Sequence, residues 1–321
     1  MSSRIHHFIS ALENPGLLHQ PAETVERILR DMLGVIGKEM VLGKYTLHPG
    51  NETEGIPAHE VMRIRPNSSL SETFTTRGSL SFKPQEYNKT YQRASTPDQT
   101  MFYGSLSDHR TDVLPNRMTS TLEGLSWLRD PLSVGKQKVT YSKWIIKEDL
   151  ALLPVIFNPQ YAGNHHVSSR LAETIDFIKR ANPEFAVDIL LFYEFVASEF
   201  AKMHSDSADI NYLVTANFTK IMLGHNPGTF DGILYPSCRV DGDGTNIAIL
   251  PEATEKLDLI VAGECMVYKN GKHVIIDNMT VCDSDWKTPL TDFKYRPVED
   301  SAKRGEEKIY EELGVSSLDF V

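Results

Sequence analysis

The sequence predicts an α+β protein with a mixed β core, helical insertions within it and a helical region at the N-terminus. Three observations carry this. Val25, Ile28, Leu29, Met32, Leu33 and Ile36 recur at helical spacing. Two longer apolar stretches, Phe185 to Met203 and Ala208 to Leu223, have the length of core helices. Short alternating runs separated by turn residues, Lys138 to Ile146 among them, have the period of strands.

Taken in order, the first helix is expected to end near Gly37, and its apolar face needs a partner. LHPGNETEGIP, rich in Pro, Gly and short polar residues, then marks a loop, with a new unit opening near Ala58. VMRIR and TMFYGS are the next strand candidates, and Thr119 to Arg129 reads as a short helix. The helix from Ala208 is expected to stop at Gly224. After it, GILYPSCRV and TNIAIL are joined by Asp241-Gly242-Asp243-Gly244, and ECMVYK and KHVIID by Asn270-Gly271. Both have the turn chemistry of hairpins. The segment from Trp286 is charged and punctuated by proline, with one short helix at Glu306 to Leu313, and is expected to be peripheral. The expected division is therefore 1–57, a helical region; 58–285, the main domain; and 286–321, a tail.

Bulk properties narrow the function classes. The chain has 321 residues, 40% hydrophobic and 24% charged, so a sizeable core is affordable within an ordinary globular composition. A net charge of −10 argues against a broad basic surface for direct nucleic-acid binding. Cys238, Cys265 and Cys282 form no CxxC pair, which points away from a disulfide framework and toward a reducing, cytoplasmic setting. Met1 to Gln20 lacks the unbroken apolar stretch of a secretion signal, and Asp188, Glu194 and Glu199 interrupt the most apolar run, so no membrane association is expected. The amphipathic N-terminal helix suits either a homo-oligomer surface or a partner dock. His165 and His166 are adjacent, which is poor spacing for joint metal ligation, and no metal is expected.

Common catalytic signatures are missing: there is no GxGxxG after a strand, no GxxxxGK[ST], no HExxH and no GxSxG elbow. A dispersed set remains. It comprises Arg63 and Arg65 in VMRIRPN, Arg93 in YQRAS, Tyr103 in MFYGS, Glu123 in STLEG and Ser237 in DGILYPSCR. Their order, and the segment DGILYPSCRVDGDGTNIAILPE above all, resembles the RES-domain family over Val61 to Pro251. That resemblance implies an ADP-ribosyltransferase-like fold and an NAD⁺-consuming activity, often that of a toxin restrained by an antitoxin protein. By the same resemblance Glu123 is the catalytic acid, Arg63 and Arg93 are the paired arginines, Tyr103 is the strand tyrosine and Ser237 the late serine. The chain is larger than the compact family pattern through its N-terminal region and a long insertion. No cofactor beyond NAD⁺ as substrate is implied.

These residue types suit cleavage of the nicotinamide–ribose bond. Guanidinium groups such as those of Arg63 and Arg93 bind pyrophosphate oxygens bidentately and do not titrate away. Departure of nicotinamide leaves positive charge on the ribose, and a carboxylate such as Glu123 stabilises that charge more in the transition state than in the ground state. Tyr103 can stack on the nicotinamide or ribose, and Ser237 can hold Glu123 or a ribose hydroxyl. Water, phosphate or a protein side chain are all open as acceptor, and a non-catalytic nucleotide-binding or interaction protein stands beside the enzyme. Structural roles compete at each position. Ser120 and Glu123 have capping-box spacing, the strand arginines can serve to solvate an outer face, Tyr103 can be a core aromatic, and Ser237 can bond turn backbone.

Overall fold

The computed structural model describes residues 3–36, 43–107, 116–155, 175–181, 183–203, 209–225, 227–238, 244–283 and 288–321. The chain is α+β, with a mixed sheet arrangement. It gathers into two compact units, each assembled from three separate stretches: Met1–Leu47, Lys83–Tyr103 and Leu150–Thr254 in the first, His48–Phe82, Gly104–Asp149 and Glu255–Val321 in the second. These units interleave along the chain, whereas the division expected at 57 and 285 is sequential. Hydrophobic periodicity marks elements, but it carries no information on which distant strands will pair.

In the first unit, β1 (Tyr45–Leu47) runs antiparallel to β5 (Leu150–Pro154), β5 parallel to β6 (Gly232–Pro236), and β6 antiparallel to β7 (Thr245–Ile249). Every residue of β6 and β7 is buried, which explains their continuous apolar character in place of alternation. β1 and β5 had no strand signal, since three residues and a short run of Leu and Ala are too brief to show a period. At Gly232 a Cβ would lie 2.1 Å from the Ala248 carbonyl oxygen, so only glycine permits this strand approach. The helices are α1 (His6–Leu12), α2 (Ala22–Ile36), α5 (Ala186–Ala201) and α6 (Leu213–His225). The α2 residues Val25, Leu29 and Met32 join Phe192 and Phe200 of α5 and Phe218 of α6 in one core. Helices α5 and α6 are apolar on nearly every side, as interior helices must be. Helix α6 starts later than expected and runs through Gly224. Residues 241–243 of the first hairpin turn and His165 and His166 lie outside the described residues.

The second unit is an antiparallel array in the order β3-β2-β4-β8-β9-β10, built from β2 (Glu60–Pro66), β3 (Phe102–Leu106, which straddles the unit boundary), β4 (Val134–Ile146), β8 (Leu257–Asn270), β9 (His273–Asp283) and β10 (Arg296–Pro297). Asn270 pairs with His273, so the hairpin turn is Gly271-Lys272, one residue later than the Asn-Gly motif suggested, with Gly271 at φ +60°. The tail is no periphery. α7 (Glu306–Leu313) buries Ile309 and Leu313 against Met266, Tyr268 and Ile275, and Lys136 Nζ reaches Glu306 Oε1 at 2.7 Å.

Two short helices flank opposite faces of β2. Met62 and Ile64 point to the face covered by α4 (Asn116–Gly124), in a cluster with Leu125, Leu128, Val139 and Tyr141. Arg63 and Arg65 leave the other face toward α3 (Arg77–Leu80). A Cβ on Gly124 would sit 2.3 Å from Ile64 Cγ2, so glycine lets α4 press onto the strand. We expect Gly124→Ala to cost about 1–3 kcal/mol through overpacking, read as a lowered urea midpoint at unchanged slope. A midpoint equal to that of the wild type would show that α4 does not rest on Ile64.

Candidate functional site

Arg93, Tyr103 and Ser237 come together in the first unit, although 144 positions separate the first from the last. Arg93 is 7% exposed. Its Nη1 donates to the Phe200 and Lys202 carbonyls, and its Nη2 donates to Lys202 O at 3.2 Å and contacts Cys238 Sγ at 3.2 Å. Phe200 and Lys202 stand at the C-terminal end of α5, where carbonyls lack intrahelical partners and the helix dipole is negative. The guanidinium therefore closes that helix end. The Tyr212 ring lies 5.3 Å from its carbon, a cation–π contact that adds to the pairing of a buried charge.

Tyr103 holds the segment that carries Arg93. Its hydroxyl accepts from the Ala94 N–H at 3.0 Å and pairs with Ser95 Oγ at 2.7 Å. Burial raises the phenol above its ordinary range, so it stays a neutral hydrogen-bonding group. Ser237 is fully buried at the end of β6, and its N–H donates to Gly244 O at 2.7 Å. Its neighbour Cys238 touches Arg93, which ties the β6 end to the α5 end. Glu199, one turn back on α5 and 5% exposed, is paired with Lys202; burial raises its carboxyl above the ordinary 4.5 despite that cation.

Arg63 and Glu123 belong to the second unit and do not share a face of its sheet. Arg63 Nε donates to Leu80 O at 3.2 Å. Arg65 donates to Ser79 O and lies 4.1 Å from the Phe74 ring, so it anchors the α3 segment. Glu123 is half-buried on α4, the helix whose Leu122 packs with Met62 and Ile64. The capping box is not formed: Ser120 is inside the helix and donates to Met62 O at 3.0 Å. Arg129 instead closes the end of α4, its Nη2 donating to the Glu123 carbonyl at 2.7 Å. A single pocket shared by Arg63 and Glu123 is thus not formed within this unit, because alternate residues of a strand, and the helices that cover them, lie on opposite sides.

Cys238, Lys202, Tyr212 and Glu199 were not singled out from the sequence. Cys238 had one signal, its place beside Ser237, whereas the other three are defined only by contacts across the fold. No protein-family model and no curated protein matches the chain. Among the described residues, no group of three or more His, Cys, Asp or Glu is arranged to hold a metal ion, and no helix is long and apolar enough to cross a membrane.

Tyr103→Phe leaves the Ala94 N–H and Ser95 hydroxyl without their partner, at a cost of about 1–3 kcal/mol in chemical denaturation; unchanged stability would mean the tyrosine does not secure the Arg93 segment. Glu199 has a folded pKa above its unfolded value, so the protonated form is favoured in the fold. Its contribution is fully present below 4.5 and is lost as pH rises through the folded value. Glu199→Gln, uncharged throughout, should melt higher than wild type at pH 7, with the gap closing as pH falls toward 4.5. A gap that does not vary with pH would contradict the assignment.

Proposed function

We propose that the chain cleaves the nicotinamide–ribose bond of NAD⁺, with Glu123 as the carboxylate that stabilises the ribosyl cation. The C1′–N bond breaks, its electron pair passes to the pyridinium nitrogen, and neutral nicotinamide departs. Water or phosphate then bonds to C1′ and loses a proton. A leaving group that departs neutral needs no strong general acid, which agrees with the lack of a histidine in the residue set. In this reading Arg93 is the phosphate-facing cation, with Tyr103 and Ser237 in the same unit, and the fold is of the ADP-ribosyltransferase type; Arg63, which donates to Leu80 O on the face of β2 away from α4, is not assigned to a pocket with Glu123. Setting in the cytoplasm, an antitoxin partner and assembly with a second copy belong to the same proposal.

The observation that carries this reading is the convergence of YQRAS, MFYGS and LYPSC. Three motifs chosen from the sequence because together they resemble one family's pattern meet through Ala94 to Tyr103 and Arg93 to Cys238. Arg93 also fits the role electrostatically, since a guanidinium keeps its charge when buried.

A second reading, nucleotide binding without turnover, is favoured by a specific observation. Both Nη atoms of Arg93 are engaged by chain carbonyls and a thiol, and α4 covers the face of β2 opposite Arg63. Nicotinamide release by wild type and Glu123→Gln, side by side, separates the two. We expect release by wild type and a fall of at least about 100-fold in the variant, the scale of losing one preorganised electrostatic contact, with melting unchanged. Equal NAD⁺ binding by both proteins, with no release by either, would establish the non-catalytic reading. Phosphate dependence of the product distinguishes phosphorolysis from hydrolysis, and label transfer from tagged NAD⁺ to protein would identify a side-chain acceptor.

A further inference from the structure

The face of β2, β4 and β8 turned away from α4 carries a buried polar cluster that the NAD⁺ reading leaves unused. Across the register Arg65 stands opposite Thr140, and Thr140 opposite Glu264, so their side chains share one face, with Lys138 two residues along β4 on the same side. Asn67 follows β2, and its N–H donates to Lys138 O at 3.0 Å, which sets it opposite that lysine. Asn67, Lys138, Thr140 and Glu264 are each no more than 5% exposed.

Lys138 Nζ lies 2.8 Å from Glu264 Oε1 and donates to the Glu72 carbonyl at 2.8 Å, and Asn67 Nδ2 donates to that same carbonyl at 2.9 Å. An amine and a carboxamide thus meet at one acceptor. Nζ also donates to Leu70 O at 3.2 Å and contacts Thr73 Oγ1 at 3.4 Å. The Thr140 hydroxyl donates to Asn67 Oδ1 at 3.0 Å, and Thr280 Oγ1 donates to the other oxygen of Glu264 at 3.0 Å. Burial of a lysine does not by itself demand this company: Lys269, also buried, is held by the Asp130 and Ser133 carbonyls and the Ser133 hydroxyl. Lys138 has in addition a carboxylate beside it and a carboxamide at a shared acceptor.

We infer that Lys138 and Asn67 are the two ends of an intramolecular amide crosslink, which the chain forms by itself with Glu264 as the proton carrier. The Lys138 ammonium passes a proton to Glu264, and the freed electron pair attacks Asn67 Cγ. The Thr140 hydroxyl donates to the oxyanion that forms at Oδ1. Glu264 relays two protons in all from Nζ to Nδ2, the Cγ–Nδ2 bond breaks, and that nitrogen leaves as ammonium. One Nζ–Cγ bond replaces one Cγ–Nδ2 bond, so the step balances without an oxidant or co-reactant. Burial favours it twice over. A low-dielectric site penalises the ammonium–carboxylate pair relative to neutral amine and acid, and it keeps out the water that would hydrolyse the amide instead. Neighbouring strands supply the proximity that a reaction between two weak partners needs.

Intact mass spectrometry of the denatured full chain tests this, independently of any action on NAD⁺. Wild type should weigh one ammonia less than its sequence, and digestion should yield a branched peptide joining Asn67 to Lys138. Lys138→Arg, which keeps the charge, and Glu264→Gln should each show their full sequence mass and yield no branched peptide. Circular dichroism checks that the variants fold; where one does not, the branched peptide from wild type decides alone. A wild type of full sequence mass would overturn the inference, as would ammonia loss retained in either folded variant. Ammonia loss without the branched peptide would mark cyclisation of some other amide side chain and overturn it equally.

Discussion

A guanidinium removed from water has to find acceptors, and Arg93 finds them at the end of α5. An unpaired charge in the interior is far more costly than any single contact gains, so the position of Arg93 constrains whatever surrounds it. Phe200 and Lys202 must present their carbonyls, Cys238 must bring the end of β6 alongside, and Tyr103 must hold the Arg93 backbone in place. One buried cation thereby links β3, β6, α5 and the turn-rich segment between Lys83 and Met101. The α5 end gains in return, since its outer carbonyls would otherwise be unmatched.

The same device recurs in the second unit at lower burial. Arg129 closes α4 through the Leu122 and Glu123 carbonyls, so the helix that carries the candidate acid is fixed at its C-terminal end by an arginine and along its length by Gly124 on Ile64. This has a functional consequence. A carboxylate on a short helix is a precise electrostatic element only if the helix cannot shift, and here a clamp and a close backbone approach both restrain it. On the opposite face, Arg63 and Arg65 bind the α3 segment, and the buried Lys138–Glu264 pair, at 2.8 Å, lies beneath the strap that leads to it. Lys138 also donates to the Leu70 and Glu72 carbonyls, which anchors that strap to β4.

A good deal of the architecture could be read from residue pattern. Periodicity located α2, α5, α7, β2 and β3 to within a few residues, because each buries one regular stripe or a continuous run. It failed where local signal and tertiary demand diverge. Helix α6 begins at Leu213 and not at Ala208, because the apolar run does not mark where helical backbone starts, and β1 and β5 are too short to have a period. The tail looked peripheral because its charges and prolines dominate its composition, while the few residues that matter, Ile309, Leu313 and Leu318, are hidden among them.

For the site, the sequence by itself determined the chemistry on offer: two arginines, a tyrosine, a glutamate and a serine in a particular order, in a setting poor in basic surface and cysteine. Tertiary structure alone decided their company. It joined Arg93 to Cys238, the neighbour of Ser237, across 145 positions and let Tyr103 hold the Arg93 segment at short range, and it put Arg63 and Glu123 on opposite sides of one strand. It also left Asn116 Nδ2 and Thr119 Oγ1 of α4 buried without a hydrogen-bond partner. The physical reason is that side-chain identity sets what a group can bond, whereas register and strand order, fixed by burial across the whole chain, set what it meets.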